Sequence, residues 1–219
     1  ADINWDNFYK GEKIRKMSIP TYPFAKKRCW IDVPKEKRET GFFTAVWEPG
    51  ELRDNAQTVR HSNVLIFEDG KGLGRDIRSG YEAQGIHVTS ISFGTEYVKK
   101  GADEYCIRNL QEDYTALLGE ISLDEVSQIV HLSSVSNDSE VRSPDELDFA
   151  LQSGVMSLFY LAKALAAGKL KNQIELVVVS SHVNDVTQNE TPVHPEHSTM
   201  YGLGKVIGQE NRSIRCRCV

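Results

Sequence analysis

A tyrosine and a lysine four residues apart form the first pattern in this sequence that suits chemistry. Tyr201 and Lys205 lie in a predicted helix over 199–209, so this spacing places both side chains on one helical face, one turn apart. A lysine ammonium at that distance lowers the pKa of a tyrosine and makes it a proton donor. Ser180 and Ser181, at the end of a predicted strand, are candidate hydrogen-bonding partners.

The sequence around this pair argues against a working acid–base site. The pattern resembles the Tyr-x-x-x-Lys motif of short-chain dehydrogenases, but the interval from the serines to Tyr201 is longer than in that family. Too little chain follows the tyrosine to supply the last strand of the sheet and a segment that covers the substrate. We therefore predict no catalytic residue in this chain.

A glycine-rich turn after the apolar run 64–67 is the second candidate site. A strand that breaks into glycines and then into a helical pattern is typical of a nucleotide-binding βαβ unit, with phosphates at the helix N-terminus. The dinucleotide fingerprint G-x-G-x-x-G would begin at Gly70 and Gly72, but Arg75 replaces its third glycine. The fingerprint is therefore incomplete.

Carboxylates make the same turn a poor phosphate site. The alternative spacing T-G-x-x-x-G-x-G, begun at Gly70 and continued at Gly74, meets Asp76, and Asp69 adds a second negative charge beside the turn. The end of the next predicted strand, Ser92-Phe93-Gly94, offers neither a carboxylate for a ribose hydroxyl nor an arginine for a 2′-phosphate. We interpret the turn as one that keeps its shape and has lost its ligand, so we predict no cofactor-binding residue.

The remaining reactive side chains are predicted to be structural. His131 falls within an apolar strand and is expected to be a satisfied core residue, while Cys216 and Cys218 point to one face of a predicted strand as reduced thiols. Arg75 and Arg78 fit a solvated helix face as well as a phosphate contact. Three further histidines lack an acidic or cysteine partner at metal-ligand spacing, which favours an exposed loop over a metal site: His182, His194 and His197.

Composition and charge restrict the class of protein. Hydrophobic residues make up 40% and charged residues 26% of the 219, which is ordinary for a globular protein with one sizeable core. No run approaches the length of a membrane span and no charged-then-apolar leader opens the chain, so we expect no membrane contact and a cytoplasmic location. Ten Lys or Arg against three acidic residues from Lys10 to Arg38 form a basic arm within a net charge of -5. Aromatic residues and prolines interrupt this arm and no nucleic-acid-binding motif occurs, so we expect no nucleic-acid partner.

Strand and helix patterns alternate from residue 64 to the end. Strands are predicted over 64–67, 86–92, 104–107, 128–133, 174–180 and 214–219, and helices over 72–84, 112–120, 145–168 and 199–209. Such alternation implies right-handed crossovers and a parallel sheet covered on both faces. The sequence predicts an α/β fold: a truncated Rossmann-like, short-chain-dehydrogenase-like sheet preceded by an extended arm.

The predicted helix over 145–168 is more apolar than a surface helix. Leu151, Leu158 and Leu165 belong to a stripe at helical spacing, and Phe149 and Phe159 lie on a second apolar face. Two interpretations stay open. The helix is either a core helix against the sheet or one whose outer face meets a partner domain.

The N-terminal arm carries the most diagnostic motif of the sequence. Pro20 and Pro23 disfavour a helix and favour an extended path. The arm contains the motif Arg15-x-x-Ser18-Ile19-Pro20-Thr21-Tyr22-Pro23-Phe24-Ala25-x-x-Arg28-Cys29-Trp30. This motif resembles the linker of modular polyketide synthases that leaves the ketosynthase region and wraps back over it. Cys29 stands where that family usually has an aromatic residue.

The rest of the chain resembles the first half of a ketoreductase domain of such a synthase. Trp47-Glu48-Pro49, at the end of a strand predicted over 41–47, is similar to the opening of those domains, and 202–210 is similar to the end of their structural subdomain. The resemblance implies a post-ketosynthase linker over 1–34, a connector with the first strand over 35–62, and a ketoreductase structural subdomain over 63–219.

This resemblance implies an architectural role. In the family, the N-terminal Rossmann-like half has lost cofactor binding, and the C-terminal half holds NADPH and the catalytic residues that reduce β-ketoacyl carrier-protein intermediates, as in antibiotic biosynthesis. The implied partners are the catalytic ketoreductase half, the upstream ketosynthase region and the carrier protein, and neither cofactor nor metal is expected in this chain. Two alternatives stay open: a pseudo-ketoreductase scaffold for a neighbouring domain such as a methyltransferase, and a minimal NADPH-dependent short-chain dehydrogenase that uses Tyr201 and Lys205.

Overall fold

Two compact units make up the chain, Ala1–Ala45 and Val46–Val219. The structure, a computed structural model, describes residues 4–13, 15, 17–18, 41, 46–50, 62–135, 141–168, 170–187 and 189–219. In the first unit it describes one helical turn, α1 (Trp5–Phe8), which begins where the Asn4 side chain accepts the N–H of Asn7 at 3.0 Å. Most of the linker motif and most of the strand predicted before Glu48 lie outside the described residues.

The second unit is built on a seven-stranded sheet with the order β3-β4-β2-β1-β5-β6-β7. The strands are β1 (Asn63–Phe67), β2 (His87–Phe93), β3 (Val98–Lys99), β4 (Glu104–Ile107), β5 (Val126–Ser134), β6 (Ile174–Ser180) and β7 (Ile214–Cys218). Every neighbouring pair is parallel except β3 with β4, which is antiparallel. The predicted α/β class and parallel sheet are confirmed. The two-residue edge strand β3 was not predicted, because it is too short to show an alternating pattern.

Helices connect the parallel strands. They are α2 (Leu73–Glu82), α3 (Gln111–Glu120), α4 (Pro144–Leu151), α5 (Ser157–Ala167) and α6 (Ser198–Glu210). Between α4 and α5 the chain continues as a π-helical segment, Gln152–Met156. The start of α4 is fixed by a capping box, in which Ser143 and Glu146 each bond the other's backbone N–H, with Pro144 in the first turn.

The strands bury apolar side chains on both faces of the sheet. Leu65 and Phe67 of β1 belong to the larger core cluster, which also contains α3, α5 and α6 residues, whereas Val64 and Ile66 belong to a cluster that packs with α2. Successive side chains of a strand point to opposite faces, so a strand covered on both sides must be apolar at every position. This requirement explains the unbroken apolar run in the sequence.

The combined helix from Pro144 to Ala167 has 24 residues and is long and apolar enough to cross a membrane by length and composition. The expectation that no run approaches the length of a membrane span is wrong by that measure. Leu158, Leu161 and Leu165 are nevertheless fully buried in the core cluster, while Phe149 is 73% exposed. The α5 part of the combined helix therefore packs in the core, whereas the α4 part exposes an apolar surface.

Candidate functional site

A cleft of about 930 Å³ lies at the carboxyl ends of the central strands. Its walls include Glu68 and Asp69 after β1, Phe93 at the end of β2, and Ser133 of β5. The strand order reverses here, since β1 lies between β2 and β5. Ligands of open α/β sheets bind in the crevice at this switch point, so the cleft is the candidate site of this chain.

The glycine turn on the cleft wall supplies its own anion. The Asp69 carboxylate accepts the backbone N–H groups of Gly74 at 2.9 Å, Lys71 at 3.1 Å and Leu73 at 3.3 Å. These donors belong to the turn and to the first residues of α2, which is where a dinucleotide pyrophosphate would be held. Gly72, with φ of 116°, gives the turn the left-handed geometry that such a loop needs.

The charge state of Asp69 fits this role. Burial by itself would raise the pKa of Asp69, but hydrogen bonds from the backbone N–H groups outweigh burial and lower it. The carboxylate is therefore ionised at neutral pH and fixed at the positive end of the helix dipole. An incoming phosphate would meet a negative charge, as the sequence led us to expect, and it would also have to displace three hydrogen bonds.

Two further charged side chains near the turn have partners within the protein. A Cβ added at Gly74 would lie 2.8 Å from Glu68 Oε2, so the Glu68 side chain packs against the start of α2. Arg78 pairs with Glu82 at 2.7 Å and with Glu104 at 2.9 Å. These ion pairs favour the structural interpretation of this arginine over a phosphate contact.

The π-helical segment brings polar groups to a second part of the cleft wall. Asn109 Nδ2 donates to the Gln152 carbonyl, and Ser133 Oγ donates to the Ser153 carbonyl at 2.6 Å. Extra residues in a π turn displace carbonyls from the regular helical ladder, and here side chains bond two of them. All four residues line the cleft. Asn109 and Ser133 were not predicted as site residues, because nothing near either position in the sequence indicates a bulge that lies twenty or more residues away.

A buried polar chain extends from Asn109 into the core. Tyr114 Oη donates to Asn109 Oδ1 at 2.9 Å and lies 2.6 Å from Ser157 Oγ, which is 2.9 Å from His131 Nε2. Burial lowers the pKa of His131 to about 3, so the ring is neutral at physiological pH. The prediction of a satisfied core histidine is confirmed.

In the loop before α6, His194 contacts the other two histidines. His194 stacks on His197 with ring centroids 5.3 Å apart and meets His182 edge-on at 5.7 Å. His194 is 2% and His197 5% exposed, so the prediction of an exposed loop is wrong for both. The loop folds back on itself, since the His194 N–H donates to the His182 carbonyl at 2.6 Å and His197 Nδ1 lies 3.0 Å from the Ser181 carbonyl. Within the described ranges no group of three or more metal-binding side chains has the geometry of a metal site.

His194 has one satisfied and one unsatisfied nitrogen. Nδ1 lies 2.9 Å from Glu196 Oε1, and Nε2 is buried without a hydrogen-bond partner in the part of the chain that the structure describes. Both His194 and Glu196 line the cleft. The sequence analysis had assigned His194 no acidic partner. The missed partner lies two residues away in a short 3-10 turn, Pro195–His197.

The tyrosine and lysine of the sequence motif lie elsewhere. Among the described residues that line the cleft, neither Tyr201 nor Lys205 is present. Burial and the nearby Cys218 raise the pKa of Tyr201, which is opposite to the shift that a proton-donating dyad needs. Ser180 Oγ lies 3.0 Å from Ser134 Oγ, and Ser180 is not among the described residues that line the cleft. The absence of catalytic residues stays a prediction.

The thiols of Cys216 and Cys218 lie against α6. A Cβ at Gly204 would lie 2.6 Å from the sulfur of Cys218 and 3.1 Å from that of Cys216. The two thiols therefore lie on one face of β7, as predicted, and that face packs against this helix. Burial raises the pKa of Cys216 to about 12. These are therefore unreactive packing residues at neutral pH.

Comparison with known families identifies the second unit. Residues 62–219, which contain the whole sheet, match a family described as Beta-ketoacyl synthase-like, N-terminal. The chain belongs to this family. It is also similar to the polyketide synthase PksM of Bacillus subtilis (strain 168), with 50% identity over 38 residues that cover 17% of this chain and 1% of PksM. The chain thus spans a very small part of that relative, and the resemblance to polyketide synthases is confirmed.

Solved structures share the fold of the second unit. One is described as the adenylation, ketoreductase and pseudo Asub multidomain structure of a keto acid-selecting NRPS module, with 23% identity and a TM-score of 0.70 over 79% of this chain and 14% of that chain. Another is an N-terminal ketoreductase from the macrolactin assembly line, with 17% identity and a TM-score of 0.57 over 72% of this chain and 32% of that chain. The predicted Rossmann-like fold is confirmed.

Proposed function

We infer that the chain is the structural, non-catalytic part of a polyketide synthase ketoreductase. It would brace a catalytic half that reduces β-ketoacyl carrier-protein intermediates with NADPH, next to an upstream ketosynthase region. One observation carries this proposal: the Asp69 carboxylate takes the backbone N–H groups of the glycine turn that a dinucleotide would need. The family match and the ketoreductase fold support the assignment to such a module.

A bracing role requires a surface for the partner. Leu147 and Phe149 on α4, Phe159 on α5 and Val206 on α6 are large apolar side chains that are 40% to 73% exposed. We propose contact with the catalytic half at this outer apolar surface, because such side chains gain stability when a neighbour covers them.

The test is a titration of the purified chain with NADPH, followed by nicotinamide fluorescence and thermal shift. A ligand present at a hundred times its dissociation constant stabilises the fold by about 2.7 kcal/mol, so binding would be evident. We expect no shift at millimolar NADPH and no turnover of a β-ketoacyl thioester by either the wild type or Tyr201→Phe. Micromolar binding, together with turnover that Tyr201→Phe abolishes, would establish the minimal short-chain dehydrogenase instead.

A second experiment separates the two non-catalytic alternatives. We expect co-expression with the catalytic ketoreductase half to give a stable complex, and replacement of Phe149 by Ser to weaken it. A complex with a neighbouring domain such as a methyltransferase, and none with the ketoreductase half, would identify a pseudo-ketoreductase scaffold.

A further inference from the structure

The cleft wall contains a buried hydrogen-bonding atom that the protein itself does not use. His194 is 2% exposed and lines the cleft, and its Nε2 has no partner among the described residues. A buried polar atom without a hydrogen bond costs about 1–3 kcal/mol. Folded proteins satisfy nearly all such atoms with protein groups, ordered water or a ligand, and a ligand in the cleft beside His194 would supply the missing partner.

The neighbour of His194 decides what kind of bond Nε2 makes. Glu196 Oε1 lies 2.9 Å from Nδ1, and both side chains are under 10% exposed. A carboxylate accepts hydrogen bonds, so Nδ1 carries the proton that it donates to Glu196. In a neutral imidazole the other nitrogen is then an acceptor, so the complementary ligand group is an N–H or O–H donor.

The charges around the cleft restrict the ligand further. The described lining includes one lysine, Lys71, and five carboxylates: Glu68, Asp69, Asp145, Glu146 and Glu196. An anion would be repelled, and a cation would be attracted. Phe93, Val135 and Phe149 add apolar surface to the same walls.

We propose that the cleft binds an organic cation, a primary ammonium or guanidinium on an apolar stem, whose N–H donates to His194 Nε2. The carboxylates balance the positive charge, and the apolar walls contact the stem. The same chemistry is offered by a free amine and by a lysine or arginine side chain of a neighbouring domain. This inference goes beyond the proposed function, because it assigns a ligand class to a cleft for which the proposed function names no ligand.

The test uses benzylammonium chloride as the probe, with benzyl alcohol and sodium benzoate as neutral and anionic comparisons. The purified chain is labelled with ¹⁵N-histidine, and the imidazole signals are followed by NMR at pH 8. We expect benzylammonium to bind with a millimolar dissociation constant, as befits a ligand of this size, and to shift the Nε2 signal of His194. Benzyl alcohol should bind more weakly and benzoate should not bind. Equal binding of benzoate, or no shift at His194, would overturn the proposal.

Two histidine variants localise the site. His194→Asn keeps an N–H donor near Glu196 but has no atom at the position of Nε2, so we expect benzylammonium to bind about tenfold more weakly. His87→Asn is the matched control, because His87 is paired with Asp103 at 3.0 Å outside the cleft, and its affinity should equal that of the wild type. Equal affinity in both variants would overturn the proposal. If His194→Asn fails to fold, the Nε2 signal of the wild type still decides.

Two further titrations distinguish a free amine from a protein side chain as the ligand, and distinguish this inference from the proposed function. A short peptide with one lysine that binds more tightly than benzylammonium would identify a neighbouring protein segment as the source. NADPH is titrated into the same sample. A chain that binds neither probe retains the proposed function and loses this inference, whereas a chain that binds both NADPH and benzylammonium loses the proposed function alone.

Discussion

At the glycine turn, backbone N–H groups of Lys71, Leu73 and Gly74 all donate to Asp69, whereas on another part of the same cleft wall His194 Nε2 has no partner in the described chain. The first region satisfies its hydrogen bonds internally. The second holds a buried pair, His194 and Glu196, that satisfies only half of the imidazole. Two parts of one cleft wall thus differ in whether the protein satisfies its own hydrogen-bonding groups.

The largest predicted effect concerns the histidine region. His194→Leu should lower the free energy of unfolding by about 2–3 kcal/mol, because the buried Glu196 carboxylate loses its charge-assisted hydrogen bond. His194→Asn, which keeps a donor, should cost about 1 kcal/mol. Urea denaturation of both variants measures the difference. Equal losses would show that the pairing with Glu196 does not stabilise this region.

A smaller effect is expected at the turn. Asp69→Ala should lower the free energy of unfolding by about 1 kcal/mol, as for loss of a helix N-cap, because three backbone N–H groups lose their acceptor. Asp69→Asn keeps an acceptor oxygen and should cost less. Hydrogen exchange at Gly74 should speed up in Asp69→Ala, and unchanged exchange would contradict the arrangement described here.

The turn also has a predictable pH dependence. The pKa of Asp69 is lower in the folded chain than its ordinary value of 3.8, so its stabilisation is complete above that value and is lost as the pH falls through the folded-state pKa. The stability difference between the wild type and Asp69→Ala should therefore shrink below about pH 4. A difference that stays constant down to pH 2 would show that the charge of Asp69 contributes nothing.

The smallest effect is predicted for Gly74→Ala. The new Cβ would lie 2.8 Å from the flexible end of Glu68 and 3.3 Å from Leu132 Cδ1, while alanine favours the helix, so the net change should be within about 0.5 kcal/mol. The double variant Glu68→Ala, Gly74→Ala removes the nearer contact and should exceed Gly74→Ala in thermal stability. If the double variant gains nothing, the Glu68 side chain does not limit the turn.

Much of the fold could be predicted because it depends on local patterns. The predicted strands over 104–107 and 174–180 match β4 and β6 residue for residue, and the other strand ends differ by a few residues at most. The predicted helix over 145–168 is present, but its π-helical segment was missed, because Asn109 and Ser133, which bond its carbonyls, are distant in sequence.

The candidate site was predicted only in part. Asp69 was recognised as a negative charge where a phosphate would lie, since it adjoins the glycines in sequence. His194 and His197 were predicted to be exposed, because a loop rich in polar residues and prolines normally stays at the surface, but both are buried.

The sequence by itself determined the two-sided strands, the glycine turn and the carboxylate beside it, because residue type and short spacing decide all three. Only the tertiary structure decided that the Asp69 carboxylate accepts three N–H groups, that the loop before α6 folds back through the His182 carbonyl, and that His194 is buried on the cleft wall. Those features depend on where the packed sheet and helices leave space, and no local pattern encodes that.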